Sequence, residues 1–90
     1  MVAVMLSSLD GRLSTECAFT ENISIRGARV VAKQRWRVDD LLVIKSLEGD
    51  FLGDGRVVYS ESRSDHSTAI GLELLRSTGH WSRAIRPRAY

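Results

Sequence analysis

The stretch Asn22-Ile23-Ser24-Ile25-Arg26-Gly27-Ala28-Arg29-Val30 gathers residue types that can recognise an anion. Asn22 and Ser24 carry short polar side chains that bond loose backbone groups in a turn, and Gly27 permits a positive φ or a close backbone approach. Arg26 and Arg29 add guanidinium forks, which meet carboxylate or phosphate oxygens two at a time. Turn chemistry alone explains Asn22, Ser24 and Gly27. A bound anion explains them together with the two arginines.

Other chemistry is harder to assemble. A nucleophile needs an oriented base, yet Cys17 sits in a regular alternation and His66 and His80 lie far along the chain. No catalytic residue is expected, and the chain reads as non-enzymatic. One cysteine with two histidines cannot build a structural zinc site, so no metal or cofactor is expected. Cys17 reads as a small core hydrophobe and His66 as a surface residue. His80 beside Trp81 reads as a cover for one end of the fold. After Glu73 every charged residue is an arginine, namely Arg76, Arg83, Arg86 and Arg88. Such a tail, without a groove or a row of aromatics, gives weak and salt-sensitive contacts to nucleic acid, which is not an expected partner.

The elements that must position the Asn22–Val30 stretch follow a period of two. Val2, Val4 and Leu6 alternate up to the turn Ser8-Leu9-Asp10-Gly11. Leu13, Thr15, Cys17 and Phe19 share one face of a second strand, with Ser14, Glu16, Ala18 and Thr20 on the other. A loop is expected over 21–27 and a third strand over 28–32. The polar 33–40 connection, with Trp36 embedded, covers one end of the sheet, and 41–47 makes a fourth strand. Asp54-Gly55 ends an approach strand or marks a bulge before a fifth strand over 56–60, with Val57 and Tyr59 on one face. The serine-rich 61–67 loop leads to a sixth strand over 68–75.

Ninety residues, 43% hydrophobic and 27% charged with a net charge of +2, suit one globular domain. Six short strands in that length call for closure, because an open sheet would leave a face and two edges bare. The expected fold is all-β, a small six-stranded antiparallel barrel over 1–75, with a two-layer sandwich as the alternative and a basic, irregular or helical tail over 76–90. No stretch is long and apolar enough for a bilayer span, and the Met1–Leu6 run lacks the basic start of a secretory signal, so the expected location is cytoplasmic.

Three pieces of the sequence resemble the PilZ domain family, bacterial second-messenger receptors that bind cyclic di-GMP on a six-stranded β-barrel. Asn22, Ser24 and Gly27 match its Asp/Asn-x-Ser-x-x-Gly signature and are followed by Ala-Arg-Val. Gly55-Arg56-Val57-Val58-Tyr59 looks like its Gly-x-Val-Val-aromatic strand, and Ile70-Gly71-Leu72-Glu73-Leu74 like its closing strand. The resemblance implies a cyclic di-GMP-binding signalling domain in which Asn22, Ser24 and Gly27 contact the nucleotide, with Arg26 and Arg29 near it. The family's other signature, an Arg-x-x-x-Arg pair ahead of the first strand, has no match before Val2. Losing two charge-assisted contacts of roughly 1.5–3 kcal/mol each implies binding weakened by about a hundredfold or more. The competing expectation is a barrel that binds no nucleotide and docks an unknown protein partner through Trp81, His80 and the tail, or through an exposed strand edge.

Overall fold

In the computed structural model, which describes residues 1–79, the chain forms six strands. They are β1 (Ala3–Ser8), β2 (Glu16–Ile23), β3 (Gly27–Ala32), β4 (Leu41–Ser46), β5 (Leu52–Ser62) and β6 (Thr68–Thr78). Every neighbouring pair is antiparallel, and the order β1-β2-β3-β6-β5-β4 closes back onto β1 as a barrel. Closure rules out the sandwich. It also removes the exposed strand edge that the protein-docking alternative called for, since each strand has a neighbour on both sides.

The lumen is filled from every strand. Val4, Leu6, Val30, Leu42, Ile44 and Val57 are fully buried and form one apolar cluster. Trp36, on the β3–β4 connection, is buried in the same cluster. Its indole N–H donates to Glu16 Oε1 at 2.9 Å, and the same carboxylate accepts from the backbone N–H of Lys33 (2.8 Å) and Gln34 (3.2 Å). A buried indole needs such an acceptor.

Strand β2 departs from its sequence reading twice. It begins at Glu16 and runs to Ile23, so three residues assigned to the following loop belong to the strand and the loop proper is Ser24–Arg26. Its inward face is also the opposite one. Ala18 and Thr20 are buried, whereas Cys17 is exposed and Phe19 is 50% exposed, so Cys17 is no core residue. Alternation defines two faces without saying which looks inward. Here the large side chains of the other strands and Trp36 already occupy the lumen, leaving room for small residues, and Thr20 Oγ1 accepts the Val2 N–H at 2.8 Å inside it.

The last two strands are longer than expected. β5 is one strand through Asp54-Gly55, where the irregularity falls on β6 and leaves Leu75 as the extra residue. β6 continues through Arg76, Ser77 and Thr78 to Gly79 at φ 80°, so the barrel does not end at residue 75. Arg76 is part of the sheet and pairs with Asp54 at 2.6 Å. The rest of the expected tail, with His80 and Trp81, lies outside the described residues.

Candidate ligand-binding site

Three strands meet around the Asn22–Arg29 hairpin. Glu21 is an extra residue in β2, because Thr20 pairs with Val30 and Asn22 with Arg29. A bulge of this kind sharpens the twist and re-aims the side chains beyond it. Ser24 then closes the turn, its N–H donating to Gly27 O at 2.8 Å while its Oγ accepts the Arg26 N–H at 3.3 Å. Of the two reasons the sequence offered for Gly27, a positive φ or a close backbone approach, the second is the one that applies. Its φ is not positive, and a Cβ there would sit 2.1 Å from Leu72 O, so the backbone that approaches closely is that of β6.

Behind the hairpin stands Tyr59. Val57 and Tyr59 do not share a face, because the ladder slips between Val57↔Leu72 and Tyr59↔Gly71 and leaves Val58 unpaired. Val57 stays in the core and Tyr59 turns outward, its ring lying over Gly71, where a Cβ would come within 2.0 Å of it. The result is an open depression of about 420 Å³. Asn22, Ser24, Arg26, Gly27 and Arg29, the five residues singled out in the sequence, all line it, opposite Tyr59 and Glu73.

The two arginines differ in state. Arg29 donates to Glu21 Oε1 at 2.9 Å, to Glu61 Oε1 at 2.8 Å and to Tyr59 Oη at 2.9 Å, with its guanidinium carbon 5.6 Å from the Tyr59 ring centre. These acceptors, Glu61 first, bind its proton more tightly than usual. Arg63 adds a second cation to Glu21 at 2.9 Å, and the hydrogen bonds from Arg29 and Arg63 hold the Glu21 carboxyl below its ordinary range. Arg26 has no carboxylate partner among the described residues, and the Asn22 side chain makes no hydrogen bond to them. Asn22 and Arg26 are therefore the uncommitted polar groups at the rim.

No protein-family model, curated protein or solved structure matches the chain. The site offers an amide, an uncommitted guanidinium and an aromatic ring around an open hollow that Ile23, Ala28, Val58 and Leu72 also line, with a second guanidinium held by carboxylates that an entering anion would have to displace. Tyr59, Glu21 and Glu61 were not legible as site residues, because a bulge and the length of β5 bring them there. Among the described residues no group of three or more His, Cys, Asp or Glu side chains is arranged to hold a metal, and no helix is long and apolar enough to cross a membrane.

Proposed function

We propose that the barrel is a PilZ-like receptor for cyclic di-GMP, with the Asn22–Arg29 hairpin as its nucleotide-binding element. One observation carries the reading: Asn22, Ser24 and Gly27 lie on one rim of a single depression together with Arg26 and Arg29. In the proposed complex the Asn22 amide donates to and accepts from a guanine edge, and Arg26 supplies a fork to a phosphate. Ser24 acts by holding the turn, since its Oγ is already engaged there. Gly27 seats the hairpin against β6.

Arg29 joins only if the anion replaces a carboxylate. Exposed ion pairs contribute roughly 0.2–1 kcal/mol each, whereas a charge-assisted hydrogen bond contributes about 1.5–3 kcal/mol. A phosphate can therefore win that exchange. Ligand binding would then reorder Glu21, Glu61 and Arg63 on the outer surface and change what the barrel presents to a partner protein.

Calorimetric titration of cyclic di-GMP into the 90-residue chain, with GMP as control, tests the reading. Asn22→Ala and Arg26→Ala each remove a group that supports nothing else in the described fold, and each is expected to weaken binding about tenfold or more. Saturable binding that both variants leave unchanged would place the ligand elsewhere, and no heat with the unaltered chain would end the nucleotide reading.

A further inference from the structure

Among the residues that line the depression there is one acid, Glu73. A carboxylate is out of place in a hollow read as the seat of a phosphate-bearing ligand, because like charges repel. Glu21 and Glu61 do not raise the same question, since they are spent on Arg29 and are not part of the lining. Glu73 therefore either serves the barrel alone or meets a part of the ligand that is not anionic.

The sheet holds it at the rim. On β6 it follows the buried Leu72 and so points outward, and its ladder partner on β3 is Gly27, which has no side chain to stand between the carboxylate and the hairpin. The neighbouring Leu74 N–H donates to Arg26 O at 2.8 Å, which fixes this part of β6 against the same hairpin. Its ion pair does not use it up. Arg56 reaches Glu73 Oε1 at 3.1 Å while its other terminal nitrogen holds Asp39 at 2.8 Å. Glu73 Oε2 accepts no hydrogen bond from the described residues. A half-exposed pair of this kind is weak, so Oε1 is available to a competing donor as well.

We infer that Glu73 selects the base at this site, by accepting the two adjacent N–H groups on the Watson–Crick edge of guanine. The inference rests on the cyclic di-GMP reading above. Guanine presents N1–H and N2–H side by side, two donors that a carboxylate meets with its two oxygens. Adenine turns the N1 lone pair to the same place, with a donor only at N6, so the carboxylate repels it. The second N2 hydrogen of guanine and its N3 are left for the Asn22 amide on the opposite rim, which both donates and accepts. Spent on the base, the carboxylate is matched to donors rather than set against the phosphates. A neutral amide makes the opposite choice. Glutamine in the same place turns a donor toward one of the two guanine N–H groups, whereas it pairs with adenine by accepting from N6 and donating to N1.

Calorimetric titrations of cyclic di-GMP and of cyclic di-AMP into the 90-residue chain and into Glu73→Gln test the inference. The unaltered chain is expected to prefer cyclic di-GMP by about a hundredfold or more, and Glu73→Gln to lose about tenfold for cyclic di-GMP while gaining affinity for cyclic di-AMP. Should Glu73→Gln misfold, Glu73→Ala serves in its place, with the loss and without the gain. Arg56→Gln removes the ion-pair partner without touching the lining, and should leave the preference intact. Cyclic di-GMP binding with an unchanged preference in the Glu73 variants would overturn the inference and leave the nucleotide reading standing, as would equal affinity of the unaltered chain for the two nucleotides. A shift in Arg56→Gln as large as that in Glu73→Gln would assign the effect to the ion pair and overturn it as well. Binding of neither nucleotide by the unaltered chain would end both readings.

Discussion

Glu21 is the residue on which the charged side of the hairpin turns. It receives Arg29 on one oxygen and Arg63 on the other, both at 2.9 Å, and it owes its outward position to the bulge at its own place in β2. Its carboxyl is held below the ordinary value near 4.5, chiefly by the hydrogen bond from Arg29 and then by that from Arg63. A carboxyl lowered in the folded state contributes stability that is fully present above the unfolded value. That contribution is lost as pH falls through the folded one. An NMR titration of the Glu21 side chain is expected to show a midpoint below 4.5, moving up toward it in Arg29→Gln. An unchanged midpoint in that variant would show that Arg29 is not the group responsible. Because the pairs are partly exposed, added salt should also weaken the effect.

At the scale of the strands, two glycines are occupied from opposite directions, and they should answer differently to the same change. A Cβ at Gly27 meets the Leu72 backbone oxygen at 2.1 Å, an atom fixed in β6, so Gly27→Ala must spread β3 from β6. Overpacking of this kind costs about 1–3 kcal/mol, a fall in melting temperature of about 4–8 °C per kcal/mol for a domain this small. At Gly71 the obstacle is the Tyr59 ring, with its nearest atom 2.0 Å away, and a ring on the surface can swing aside. Gly71→Ala is therefore expected to melt nearly as the unaltered chain does while losing the Tyr59 Oη contact to Arg29. Parallel melting curves, with Tyr59 followed by fluorescence or NMR, check both. A larger melting loss for Gly71→Ala than for Gly27→Ala would invert this account.

At the scale of the whole barrel, Trp36 is the core residue of largest volume, and it comes from a connection rather than from one of the six strands. It is 1% exposed, its indole N–H bonds Glu16, and its carbonyl accepts the Ser60 hydroxyl at 2.7 Å, tying the β3–β4 connection to β2 and β5. Trp36→Ala is expected to cost about 3–5 kcal/mol, a large part of the 5–15 kcal/mol that holds a domain together. Trp36→Phe keeps most of the packing and loses the indole bond, and should cost about 1–2 kcal/mol. Urea midpoints of the two variants give the comparison; equal losses would mean that the hydrogen bond to Glu16, rather than the ring's volume, is what matters.

The barrel itself was legible in the sequence, because six runs of period two in so short a chain leave closure as the way to cover their edges. That a turn falls within the 22–29 stretch was legible as well, since side-chain chemistry at close spacing is local information, but the expected 21–27 loop shrinks to Ser24–Arg26. Orientation and register were not. Which face of β2 looks inward depends on the volume left by Leu6, Leu42, Ile44 and Trp36 from other strands, so Cys17 and Phe19 went outward against their composition. The bulges at Glu21 and Val58 depend on how β2 and β5 match their neighbours, and those two slips bring Tyr59 opposite Asn22 and lock Arg29. Hydrophobic period and turn chemistry, properties of neighbouring residues, determined the elements. Packing volume and ladder register, properties of residues up to 42 positions apart in the case of Glu21 and Arg63, decided the site.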